Sequence, residues 1–263
     1  MKKVLTLLFA LFAGITLIRA QAGETGETGQ DLLLTKKGVP VLPQKGDWAI
    51  GIDATPFFRY LGNIFTSTNN PYYPTFGFTA QQPGAIFGKY KVSENTTYRG
   101  SLLIGVSSDV SRSRNATNPD QVDKTTTSAI SLGLVAGIEK NRQVFGRLAG
   151  IYGVQAGVMK DPYNAGTYMG TLKFKDASDS NNNYKRTGGN TYSILAGGFV
   201  GVEFYIAPRI ALAGEFGYNI RLYVEGDRKF VPETGTETVQ SYGGMGVGFA
   251  PSQSGNLQLL LYF

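Results

Sequence analysis

Between residues 191 and 222 the chain keeps two chemistries in step. The even positions Tyr192, Ile194, Ala196, Val200, Val202, Phe204 and Ile206 are apolar or aromatic, while the odd ones include Ser193, Gly197, Gly201 and Glu203. After Ala207-Pro208 the pattern resumes, with Ile210, Leu212, Phe216, Tyr218, Ile220 and Leu222 opposing Ala213, Glu215, Gly217, Asn219 and Arg221. Side chains alternate between the two faces of a strand, so a period of two reads as a hairpin of two long strands. Each strand has one greasy face and one mixed face. The charges interrupt what would otherwise pass for a membrane-crossing helix.

The same alternation recurs along the chain. Trp48, Ile50 and Ile52 oppose Asp47 and Asp53; Ile86, Tyr90 and Val92 oppose Lys89 and Lys91; Leu102, Ile104 and Val106 oppose Arg99, Ser101 and Ser107. Ile130, Leu132, Leu134 and Ile138 oppose Ser131 and Glu139, and Val144, Leu148, Tyr152, Val154 and Val158 oppose Arg147 and Gln155. Within these strands the charges keep to the mixed face. A soluble sandwich with its apolar face inward fits that rule too, and two features decide against it. The mixed face is rich in small residues (Gly133, Gly137, Gly201, Ala211, Ala213, Gly217), as a tight, curved interior requires. The strands also outrun the roughly 5–6 residues of a soluble strand and reach the about 9–11 of a membrane-spanning one. Trp48, Tyr98, Tyr192, Phe204 and Tyr223 near strand ends suit interfacial girdles.

The fold class expected is therefore all-β, a transmembrane antiparallel up-and-down β-barrel. Its grease faces lipid, and a lumen charge network is formed by Asp53, Lys89, Arg99, Arg147, Glu203, Glu215 and Arg221. In this reading Arg99, Arg147 and Arg221 neutralise Glu203 and Glu215.

The beginning of the chain agrees. Met1-Lys2-Lys3, an apolar run over 4–18 and Ala20-Gln21-Ala22 describe a secretory signal cleaved after Ala20 or Ala22. The run is shorter than the roughly 20 residues of an anchor helix. Residues 23–45, with a GETGET repeat, read as a flexible periplasmic segment whose Leu32-Leu33-Leu34 packs under the barrel, and 46–263 as the barrel domain.

Charge and composition exclude several functions. Losing Lys2, Lys3 and Arg19 leaves 22 basic residues against 19 acidic, too small a surplus for a nucleic-acid stripe. The chain has no Cys, hence no disulfide, thiolate metal site or lipidated cysteine, and no His, the commonest general base and metal ligand. Glu203 and Glu215 face the lumen on neighbouring strands, and a carboxylate pair can serve hydrolysis. Neutralised lumen acids explain them better. No enzyme, metal or cofactor is expected.

Connections alternate short (93–95, 140–143, 207–208) with long (62–83, 109–125, 160–189, 225–238), the pattern of tight periplasmic turns and larger extracellular loops. Eight strands are expected. Ten is the alternative, with 239–249 and 166–175 as the added pair. In the first long loop Tyr72, Tyr73, Phe76 and Phe78 form the candidate extracellular contact.

The signal, the lead-in GVPVLPQKGDWAIGIDATPFFRYLGN (38–63), the paired strands and the ending NLQLLLYF (256–263) together resemble the small outer-membrane β-barrel proteins of Bacteroidota, the OmpA/OmpX-like transmembrane barrels. The ending, with Leu257, Leu259 and Leu261 alternating before Tyr262 and Phe263, is similar to the signal read by the barrel-assembly machinery. The resemblance implies an outer-membrane location, with outer-membrane lipid and that machinery as partners. The function expected is non-enzymatic: an accessory subunit of an outer-membrane protein complex, or a surface binder acting through its loops. A narrow channel for small solutes is the alternative, disfavoured because side chains fill an eight-stranded interior.

Overall fold

A computed structural model describes residues 33–34, 38–54, 84–114, 120–162, 171–176, 183–240, 244–251 and 256–263. The expected signal at 1–22 and the aromatic cluster Tyr72, Tyr73, Phe76 and Phe78 lie outside the described residues. The chain is all-β and antiparallel. Its strands are β1 (Trp48–Asp53), β2 (Gly84–Ser93), β3 (Thr96–Arg114), β4 (Val122–Phe145), β5 (Leu148–Pro162), β6 (Thr171–Lys175) and β7 (Tyr184–Gly188). They continue with β8 (Asn190–Ala207), β9 (Ile210–Glu225), β10 (Arg228–Pro232), β11 (Thr238–Gln240), β12 (Met245–Pro251) and β13 (Asn256–Tyr262).

Eight strands form a ring. The order runs β4-β3-β2-β1-β13-β9-β8-β5, and β5 pairs back onto β4 from Phe145↔Leu148 to Leu132↔Lys160. First and last strands close it: Ala49 pairs with Tyr262 and Ile52 with Leu259. Beyond the ladder Trp48 and Phe263 exchange backbone hydrogen bonds, and their rings stack with centroids 4.5 Å apart. A closed ring leaves no edge within itself.

Burial on this ring is inverted relative to a water-soluble β protein. Facing outward and exposed are Ile50, Tyr90, Leu102, Val106, Ile130, Leu134, Tyr152, Val154, Val200, Phe204, Phe216, Ile220, Leu259 and Leu261. Facing inward and buried are Lys89, Lys91, Thr97, Ser131, Glu139, Ser193, Glu203, Glu215 and Gln258. The two-residue period of the sequence is this division, and a shift of one residue in any strand would reverse it.

The expected short turns are there, with one correction. β4 continues through 140–143, with Asn141 still pointing inward, until the ladder shifts register between Gln143 and Phe145 and the chain turns at Gly146-Arg147, where Gly146 takes a positive φ of 49°. The β8–β9 turn centres on Pro208-Arg209, where Arg209 adopts a left-handed φ of 67°.

Of the expected long loops, 62–83 lies outside the described residues, and 109–125, 160–189 and 225–238 instead carry strands. β3 and β4 have 19 and 24 residues and outrun the ring together, pairing as far as Arg114↔Val122. Where β5 leaves β4, β6 takes its place at Ser128↔Thr171 through Lys124↔Lys175. β7, β10 and β11 add in turn, forming a sheet extension on the long-loop side. Only 171–175 of the expected partner strand at 166–175 is a strand among the described residues, and it joins this extension rather than the ring. The segment 239–249 is divided: its start belongs to β11, and β12 pairs with the upper half of β9 above β13.

At the turn side the lead-in packs on the interior. Leu34 bridges Pro40, Val41 donates its N–H to the Leu33 carbonyl at 2.9 Å, and Val41 and Pro43 are buried. Val41 joins an apolar cluster with Phe87, Tyr205, Ala211 and Leu260, while Leu33 and Leu42 pack against it.

Candidate functional site

Above this apolar floor the inward faces bring charges together from five strands. β2 delivers Lys89 and Lys91, β3 Arg99, β4 Glu139, β8 Glu203 and β9 Glu215. Lys89 and Arg99 are direct cross-strand neighbours, a like-charge pair that would repel without intervening carboxylates. Those carboxylates are present. Lys89 Nζ lies 2.9 Å from Glu139 Oε2 and 3.5 Å from Glu203 Oε2. Arg99 forks onto Glu215, with Nη1 and Nη2 each 2.8 Å from a carboxylate oxygen, and its Nη1 also donates to Glu139 Oε2 at 3.3 Å. Asn141 donates to Glu139 Oε1 at 3.0 Å, and Tyr262 donates its hydroxyl to Glu203 Oε1 at 2.5 Å. Lys89 and Arg99 therefore hold the three carboxylates in direct ion pairs, and Lys91 is buried one inward position away on β2. A buried set of this kind holds together only when each charge has partners, because desolvation alone costs several kcal/mol per ion.

Glycine makes the room. Phe199 is flanked in its row by Gly153 and Gly217, so its ring can lie across the interior with the Arg99 guanidinium 4.0 Å above its centroid. A Cβ on Gly153 would approach that ring to 2.7 Å and collide with the Ile138 carbonyl.

Of the seven residues expected in the lumen network, four meet: Lys89, Arg99, Glu203 and Glu215. Three do not. Arg147 sits at the β4–β5 turn, exposed, donating to the Ile206 carbonyl at 2.9 Å. Arg221 lies further along β9 and pairs with Asp161 at 2.5 Å, leaving Glu203 and Glu215 to other bases. Asp53 is half-buried on β1, opposite Gln258. The periodicity gave each residue's face but not its height along the ring. Glu139 was legible as a mixed-face acid, yet its place between two bases depends on the stagger of β2, β3 and β4. Tyr262, read as part of an assembly signal, is also the hydrogen-bond donor to Glu203; Leu257 is half-buried, and Leu259, Leu261 and Phe263 face outward.

Each of the three carboxylates has a base or hydroxyl against it inside the ring. Glu203 Oε2 and both amide ends of Gln258 make no hydrogen bond with a group among the described residues. No group of three His, Cys, Asp or Glu able to hold a metal ion occurs among the described residues. On the outer face, Val200, Gly201, Val202, Gly214, Phe216 and Leu257 line a shallow, mostly apolar groove that Glu215 also borders. No protein-family model matches the chain, and neither does any curated protein.

Proposed function

We propose that the chain is an integral outer-membrane β-barrel of eight transmembrane strands, OmpA/OmpX-like, that catalyses nothing and serves as a structural or interaction protein. The carrying observation is the inverted burial: large apolar side chains outward, ion pairs inward. In water that outer face would be a very large exposed apolar patch; in hydrocarbon it is the stable arrangement. On β4 the outward apolar positions run from Ile130 to Ile138, about 27 Å of strand and roughly 20 Å once the strand tilts. That is near the height of a membrane barrel's apolar band.

In this reading the turns and both termini are periplasmic, and the extension of β6, β7, β10 and β11 stands outside as the interaction surface. The outward Leu259, Leu261 and Phe263 suit the barrel-assembly machinery as a partner. The plugged interior argues against the narrow channel, since Lys89, Arg99, Glu139 and Glu203 cross it and Val41 sits on its floor.

The test is native mass after gentle detergent extraction from outer membranes, with co-purifying proteins identified and conductance measured in planar bilayers. A stoichiometric partner and no conductance are expected for an accessory subunit, a lone non-conducting monomer for a surface binder. Stable unitary conductance would overturn the filled-barrel reading.

A further inference from the structure

The extension divides its charges between two faces. Directly opposed residues of antiparallel strands share a face, so Arg112, Lys124 and Lys175 form one row across β3, β4 and β6. Lys173 and Lys185 form the next across β6 and β7, and Lys229 follows on β10 beside Thr187. All six are exposed, and Lys229 pairs with Glu237 at 3.1 Å while the other five make no ion pair with a described residue. The acids in the same strands, Asp109, Asp123 and Glu139, occupy the opposite face of β3 and β4.

The face holding these six bases is the outward one, while Arg186 and Arg228 lie on the other. Followed down β3 and β4 it passes Val110 beside Thr126 and Ser108 beside Ser128, then becomes the apolar face at Val106 beside Ile130 and Ile104 beside Leu132. Five bases thus occupy a patch of about 14 Å by 7 Å that begins about 14 Å along the strand from the last apolar pair. Like charges set directly opposite one another destabilise a sheet unless something neutralises them.

We propose that this outward face of the extension, centred on Arg112, Lys124, Lys173, Lys175 and Lys185, binds the phosphate groups of anionic lipid headgroups in the leaflet beside it. Charge complementarity selects phosphate, and continuity with the lipid-facing surface selects a membrane source over a soluble acidic partner. The proposal rests on the membrane reading. Bases near a membrane surface each add attraction for anionic lipid, which salt weakens.

The test folds the full chain into dioleoylphosphatidylcholine vesicles, with and without phosphatidic acid, and reads the lipid retained after transfer to detergent by native mass spectrometry. Lys124→Gln/Lys173→Gln/Lys175→Gln is compared with Lys45→Gln/Lys140→Gln/Arg142→Gln, which removes equal charge from the turn side. We expect retention of phosphatidic acid over phosphatidylcholine to fall roughly tenfold or more in the first variant, to stay unchanged in the second, and to weaken with salt. Equal retention by all three proteins would overturn the site. Displacement of the lipid by an equal concentration of inorganic phosphate would overturn the lipid source. Insertion is read separately, as heat-dependent gel mobility in pure phosphatidylcholine; failure there would overturn the membrane reading itself.

Discussion

Arg99 and Glu215 meet in a forked ion pair across the ring interior, both N–O distances 2.8 Å, although 116 residues separate them in sequence. Arg99 is further fixed by Glu139 and by the ring of Phe199. Arg99→Ala strands the buried Glu215 carboxylate and takes one of two bases from Glu139, and should destabilise the folded state by about 3–5 kcal/mol. Arg99→Lys should recover only part, because an ammonium cannot make the fork. Arg99→Met/Glu215→Leu should recover more than either single change. Unfolding in denaturant measures all three, and a single-mutant loss under about 1 kcal/mol would contradict the buried assignment.

Arg221 behaves differently because its partner Asp161 and Arg221 itself are partly exposed, with side-chain accessibilities of 24% and 35%. Arg221→Ala should therefore cost no more than about 1 kcal/mol. The coupling in a double-mutant cycle should lie with Asp161→Ala and vanish with Glu215→Ala.

Gln258 is fully buried, yet neither end of its amide has a hydrogen-bond partner among the described residues. Burying an amide without partners costs about 1–3 kcal/mol in protein mutational data. Gln258→Met should accordingly be neutral or stabilising in the same unfolding measurement. A clear loss would mean that the amide is satisfied by bound solvent and holds Glu203 in place.

Arg209 adopts a left-handed backbone at the β8–β9 turn, and its carbonyl accepts the Tyr262 N–H at 2.7 Å. Glycine reaches that conformation without a Cβ clash and keeps the carbonyl. Arg209→Gly should raise stability by up to about 1 kcal/mol, whereas β-branched Arg209→Val should lower it by at least as much. The unfolding rate of each variant reports the difference.

Val200 projects from the outer face with 58% of its surface exposed. If that face meets hydrocarbon, Val200→Lys should cost roughly 2–4 kcal/mol near the midplane. Impaired insertion into vesicles, with secondary structure kept in detergent, is the expected result. Unimpaired insertion would place Val200 in water.

The sequence by itself determined which residues face in and which face out. Side chains in a strand repeat every second residue, and one mis-set position in 190–206 or 210–224 would have placed Glu203 or Glu215 among the outward apolar side chains. The hairpin turn near Pro208, the outward Leu259 and Leu261 and the absence of His and Cys chemistry were likewise local facts. What tertiary structure decided was height and neighbourhood. Alternation is silent about stagger, so only the ladder could place Arg99 on Glu215 and move Arg221 up to Asp161. Only three-dimensional pairing could turn the expected long loops into an extension, because β6, β7 and β10 are five residues each and take their register from the overhang of β4 rather than from their own pattern. The same pairing gathers Arg112, Lys124, Lys173, Lys175 and Lys185 onto one face, and it is long-range hydrogen bonding that puts them there.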